Sequence, residues 1–251
     1  PDSAFQLRNS YGVRGKLSGW PVDGILAWIA SDKQVSDYLD AWTSEMPTVY
    51  VGYQRHDDSD YVAVNREIGI RELMKHMVAQ GYKRIAYIYP WKDLQPLDVR
   101  YMYYETICKE IGREPERIHL ELVEPENTTR LVTQAGLREA GLKTGITLGE
   151  RSAHDRPDAV ICHNDLVAIG VYHGLIRTGV DVPGQIGVAG FDGIDEGRYL
   201  DKALTTVVSP GAAIVEAGME ILTDRLEHGY GEIHEPRQLM IDSSLRVGGT
   251  T

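Results

Sequence analysis

The sequence predicts an α/β chain of two lobes or two small domains, built on mostly parallel sheets flanked by helices. Three observations carry that expectation. At 251 residues the chain exceeds the size at which one layered core is usual. Short β-rich apolar runs alternate with segments of helical period, the pattern of parallel βαβ units. A composition of 42% hydrophobic and 25% charged residues is that of an ordinary folded protein without a long unstructured portion.

Asp23 to Ile29 reads as the first strand. The helix after it sets Val35, Tyr38, Leu39 and Trp42 on one face and opens on Ser31 or Asp32 as cap. Pro47 precedes strand Thr48 to Tyr53, and Tyr61 to Val64 forms a third. The next helix turns Ile70, Leu73, Met74, Met77 and Val78 inward and closes on Gly81, which lacks the Cβ that disfavours a left-handed cap. Strand Arg84 to Tyr89 stops at Pro90; Tyr104, Ile107, Cys108 and Ile111 mark a helix ended by Gly112, and Ile118 to Val123 is the following strand. Between Asn127 and Asp155 a helical period shows only around Leu131 to Leu142, then gives way to a polar, Gly-containing connection. Strand Ala159 to Cys162, helix Asp165 to Thr178 with Gly179 behind it, and strand Ile186 to Gly190 restore the alternation. A last long helix, Ala212 to Glu227, carries Ile214, Ala217, Ile221 and Leu222 inward.

Composition narrows the function. A formal net charge of −11 makes the chain itself a poor DNA binder, because phosphate contact needs clustered Lys and Arg. The apolar runs, such as Gly24 to Ala30, are far shorter than the roughly 20 residues that cross a bilayer, so no membrane contact is expected. Cys108 and Cys162 both lie in apolar periodic segments, where reduced buried thiols are expected, and with them a cytoplasmic location. No Met opens the chain and no signal-like apolar region follows Pro1, so a fragment trimmed at its front is expected. There is no G-x-S-x-G elbow, Walker loop, G-x-G-x-x-G or H-E-x-x-H, and the eight His are scattered, so neither an enzyme, a cofactor nor a metal is expected. Asn127-Thr128-Thr129 matches a glycosylation sequon, discounted for want of a secreted context.

In open parallel sheets ligands sit beyond the carboxyl ends of the strands. Those positions here are polar or aromatic: Trp28, Tyr53, Trp91, His163, Asn164 and Asp192. A sugar-like ligand needs planar hydrogen-bonding side chains for hydroxyl pairs, which Arg100, Asn164 and Asp192 offer, and an aromatic face for the ring, which Trp28 or Trp91 offers. Each has a plainer role to set against that one. The Trp residues could fill the core, Asp192 with Gly193 could simply make a turn, and one of Asn164 and Asp165 caps a helix, leaving the other to face the ligand. Arg100→Ala is expected to weaken ligand binding while leaving thermal unfolding nearly unchanged.

The stretch Pro157 to Gly170, PDAVICHNDLVAIG, resembles a block of the LacI/GalR family of transcriptional regulators. Gly179, Val182-Pro183, Ile186 to Asp192 (IGVAGFD) and Leu204 to Val207 (LTTV) follow at the family's spacing. Val22 to Leu26, Gly81 to Ala86, Arg100 with Gly112 twelve residues on, and Gly249-Thr250-Thr251 extend the similarity over nearly the whole chain. The resemblance implies an effector-binding domain of periplasmic-binding-protein-like fold, with the lobes at 1–64 plus 209–240 and 65–208 plus 241–251, the first incomplete at its start. The chain is then expected to cross between them near Val64 to Asn65, Val208 to Ser209 and Met240 to Asp242. It implies that Arg100, Asn164 and Asp192 hold the effector, that Trp28, Tyr53, Asp98 and Ser209 line the site, and that the protein is a homodimer. The family's helix-turn-helix, hinge helix and first core strand have no counterpart, and Gly248 stands where an Arg is usual, with Arg246 two residues earlier.

The expected function is therefore sensing a small molecule, a sugar or derivative, in a cleft between lobes, with DNA reached only through a helix-turn-helix outside this chain. A solute-binding protein for a sugar is the alternative on the same fold, and an enzyme using His163 or Asp192 as acid or base is a third reading.

Overall fold

A computed structural model describes residues 23–28, 46–52, 58–89, 98–120, 134–228 and 235–251 of the chain. In chain order the elements are β1 (Ile25–Trp28), β2 (Thr48–Gly52), β3 (Asp60–Asn65), α1 (Arg66–Ala79), β4 (Ile85–Tyr89), α2 (Val99–Glu110), β5 (Glu116–His119) and α3 (Gln134–Glu150). They continue as β6 (Ala159–Cys162), α4 (Asp165–Arg177), β7 (Gly187–Asp192), a 3-10 turn (Asp195–Tyr199), β8 (Thr205–Val208), α5 (Gly211–Glu227), β9 (Gln238–Asp242) and β10 (Ser244–Arg246). The chain divides into two units, Pro1–Asn65 with Pro210–Ile241, and Arg66–Ser209 with Asp242–Thr251.

In the first unit, β1, β2 and β3 run parallel, with β9 beyond β3. Alternate residues serve opposite faces, as the two-residue period of a strand requires. Val49, Val51, Val62 and Val64 pack with Ile214, Ile221 and Leu222 of α5, whereas Ala27, Tyr50, Tyr61 and Ala63 cluster together. Near-continuous β-branched runs suit strands of a parallel sheet. Arg225 of α5 clamps Asp60 at the start of β3 with two bonds, Nε to Oδ2 at 2.8 Å and Nη2 to Oδ1 at 2.9 Å. Burial alone would raise the Asp60 carboxyl; the Arg225 bonds and the Arg237 backbone N–H outweigh it and hold it below the ordinary value.

The second unit is a six-stranded sheet in the order β10-β8-β7-β6-β4-β5, parallel except that β10 is antiparallel to β8. Ala86, Ile88, Val160, Cys162 and Val188 meet Ala140 and Leu148 of α3 and Val167, Val171 and Leu175 of α4. Ile85, Tyr87, Tyr89, Ile161, Ala189 and Phe191 meet Ile70, Leu73, Met74 and Met77 of α1 and Tyr104, Ile107 and Cys108 of α2. Gly81, at φ +95°, ends α1 as expected: its N–H reaches Val78 O at 3.0 Å and the Tyr82 N–H reaches Met77 O at 3.2 Å. Cys108 and Cys162 are free and buried. Among the described residues no helix is long and apolar enough to cross a membrane.

Several expectations need correction. Val78 and Ile111 are exposed rather than inward. Strand β5 begins two residues before Ile118 and ends at His119; 121–123, like the helix expected around Val35 to Trp42, lie outside the described residues. The polar connection after Leu142 is instead the second half of α3, which runs unbroken to Glu150. Each interior glycine costs a helix about 1 kcal/mol against Ala, and four of them in α3 hid it. Their use lies in packing. A Cβ at Gly141 would strike Val167 O, one at Gly145 would strike Val171 O, and on α4 those at Gly170 and Gly174 would strike Arg138 O and Leu142 O. The two helices therefore touch backbone to backbone, a contact that only glycine permits.

Candidate functional site

The carboxyl ends of β6, β7 and β8 and the first turn of α2 bring together Asp98, Arg100, His163, Asn164, Asp192 and Ser209, all in the second unit. Asp98 precedes α2 in extended conformation and caps it, its Oδ1 accepting from Arg100 N at 3.0 Å. Its Oδ2 accepts from the buried Tyr87 hydroxyl at 2.8 Å and lies 2.7 Å from His163 Nδ1. Asp98 is thus a buried hub rather than a wall of an open pocket. Burial alone would raise its carboxyl; His163, Arg100 and the Tyr87 hydroxyl together hold it well below the usual carboxylate range.

His163 is pushed the other way. Burial first, then the Arg100 charge, lower its pKa, and the pull of Asp98 does not compensate. The ring is therefore neutral near pH 7. With Nδ1 against a carboxylate, its proton is assigned to Nδ1, and Nε2 keeps an acceptor lone pair. That nitrogen faces Arg100 Nη2 at 3.5 Å. Arg100 Nη1 donates to His163 O at 2.7 Å, its guanidinium covers the Phe191 ring at 4.9 Å, and its Nε lies 3.5 Å from Asp98. Those contacts count against the expectation that Arg100→Ala would leave unfolding nearly unchanged: its loss takes a donor from the His163 carbonyl and a cation from beside the buried Asp98 carboxylate.

Asp192 ends β7 at φ +111°, and Gly193 follows at φ +78°. An Asp tolerates a positive φ better than most residues, and Arg246 braces the turn from below, donating to Gly193 O and Ile194 O at 3.3 Å each. The Asp192 carboxylate lies 3.7 Å from Arg100 Nη1 with 44% of its side chain exposed. Desolvation raises its pKa despite Arg100 and His163. Its carbonyl accepts from Ser209 N at 3.2 Å, which fixes Ser209 beside it.

Asn164 caps α4, Oδ1 accepting from Val167 N at 3.0 Å. The expectation that its neighbour would then face the ligand is corrected. Asp165 is fully buried, accepting from Thr206 Oγ1 at 2.6 Å and Ile194 N at 2.8 Å, and Gly190 is glycine because any Cβ there would strike Asp165 Oδ1. It anchors the turn that carries Asp192 rather than binding anything itself. Trp28 ends β1 in the first unit, 60% exposed, its ring against Gly52. Tyr53 and Trp91 lie outside the described residues. Sequence reasoning missed Tyr87 and the Asp165–Thr206 pair. An Asp just ahead of a helical period was a legible sign of the Asp98 cap, but nothing in spacing revealed that β4 and β6 would converge on it.

Against known families, residues 74–251 match the model of the periplasmic binding protein-like domain. The chain is 26% identical over 210 residues to the HTH-type transcriptional repressor PurR of Mannheimia succiniciproducens, covering 82% of this chain and 58% of that protein. It is 27% identical over 207 residues to the ribose operon repressor of Escherichia coli K12, again covering 82% and 58%. It therefore spans less than two thirds of the length of these relatives. Among solved structures, a LacI family transcriptional regulator from Enterococcus faecium with bound ribose superposes with a TM-score of 0.71 at 19% identity, over 92% of this chain and 80% of that one.

Proposed function

Because this chain belongs to the periplasmic binding protein-like domain family, we propose that it is the effector-sensing part of a LacI-type transcriptional regulator, reading a small polar molecule, a sugar or sugar derivative. The observation that carries the reading is the Asp98–His163–Arg100–Asp192 network at the strand ends, where a buried guanidinium is held in one pose beside a partly exposed carboxylate. Asp192, the Asn164 amide and Ser209 supply direct contacts to ligand hydroxyls; Arg100 contacts the ligand at its edge, and Asp98 and His163 position it. Trp28, Tyr53 and Trp91 remain proposed aromatic contacts on the residues named from sequence. The relatives named above are repressors and regulators, which supports a regulator over the solute-binding reading and over an enzyme. DNA contact is assigned to protein outside this acidic chain, and a homodimer in the cytoplasm is the assembly proposed.

A melting-temperature screen against sugars and purines tests it, since a ligand that binds only the folded form raises the melting point by mass action. A sugar that shifts the wild type more than it shifts Asp192→Asn supports the site. The absence of a shift from any of them removes the sensing role.

A further inference from the structure

We propose that the ligand held at this network is uncharged and rich in hydroxyls, and that the site turns away the corresponding sugar acid. The inference rests on the sensing role above and names the ligand class within it. A site built for a carboxylate offers an arginine fork with its N–H groups open and excess positive charge around it. The Arg100 fork is engaged instead: Nη1 on His163 O at 2.7 Å, Nη2 facing His163 Nε2 at 3.5 Å, Nε toward Asp98 at 3.5 Å and the flat face on Phe191.

Its charge is matched as well. Asp98 and Asp192 both approach it within 3.7 Å. His163 adds no second cation, because its Nδ1 proton points into Asp98 and burial with Arg100 keeps the ring neutral. Arg66 is a further cation whose field reaches Asp192, and behind the turn stand Arg246 and the Asp165 carboxyl. Among the described residues, three guanidiniums (Arg100, Arg66 and Arg246) thus stand with three carboxyl groups (Asp98, Asp192 and Asp165), which leaves no excess of positive charge. The group left partly open to an arriving ligand is the Asp192 carboxylate, which accepts from hydroxyls and repels anions. The Asn164 amide adds a donor beside that acceptor, a set suited to hydroxyls.

Titration calorimetry near pH 7.5 with matched pairs (ribose and ribonate, glucose and gluconate, galactose and galactonate) tests the assignment. For any pair that binds, the neutral member is expected to bind at least about tenfold tighter than its acid. Asp192→Asn, a substitution that keeps the side-chain shape and tolerates the positive φ, is expected to narrow or reverse that ratio. An acid that binds as tightly as its neutral partner overturns the inference while leaving the sensing role intact. If purines bind and no sugar of either kind does, the inference falls with the sugar reading, and if nothing binds the sensing role falls too.

Discussion

Asp165 is a carboxyl group that the fold places in the wrong solvent, and its replacement by Asn should strengthen the protein. It is fully buried behind the Asp192 turn, and desolvation pushes its pKa from the ordinary 3.8 up to about 6 against the pull of Thr206 and the Ile194 and Gly193 N–H groups. A raised folded value means that the native state binds the proton more tightly than the unfolded chain does. Stability from this group is therefore greatest below pH 3.8, is lost as pH rises toward about 6, and is level above. At about 1.4 kcal/mol per pH unit the loss amounts to roughly 3 kcal/mol. An Asn amide mimics the protonated acid: its oxygen can accept from Ile194 N, and its nitrogen can donate to Thr206 Oγ1, whose own hydrogen is free to turn to Val207 O at 3.3 Å. Urea unfolding of wild type and Asp165→Asn between about pH 4 and 8 should give a stability difference that grows through the acidic range and levels off near 3 kcal/mol in favour of Asn. A variant less stable than wild type at pH 7.5, or a difference that does not change with pH, would refute the reasoning.

Other perturbations act through separate contacts. Tyr87→Phe removes the hydroxyl that donates to Asp98 and should cost about 1–3 kcal/mol by denaturant unfolding, with weaker ligand binding because the Asp98 that lies beside Arg100 loses one of its donors. Gly145→Ala drives a methyl into Val171 O and should cost about 1–3 kcal/mol or more, measured the same way; a neutral result would mean the helices stand farther apart than described. Arg225→Met takes two hydrogen bonds and a cation from the half-buried Asp60, which keeps the Arg237 backbone N–H, and should cost about 1–3 kcal/mol at neutral pH. Because the folded Asp60 carboxyl lies below 3.8, that penalty should shrink as the solution is acidified through and below this value, which a pH series of melts will record.

Much of the fold was legible because hydrophobic period and cap chemistry point the same way. Gly81, Gly112 and Gly179, all at positive φ, marked helix ends that needed no long-range information. The second half of α3 was not legible, because propensity penalised glycines whose value appears only when α4 arrives against them. The site shows the same division. Asn164 and Asp192 were visible as cap and turn residues at strand ends. The pairing of Asp98 with His163, 65 positions apart, depends on strand order, which local patterning does not encode.

The glycine seam between α3 and α4 bears on how a binding event could propagate. Side chains between ordinary helices can change rotamer and let one helix slide; interlocked main chains have no such slack. The pair is a single stiff plate with Asn164 at its rim. Any ligand-linked displacement felt at that rim must move the plate whole, delivering motion to the far ends of both helices, near Glu150 and Arg177, rather than absorbing it in local repacking.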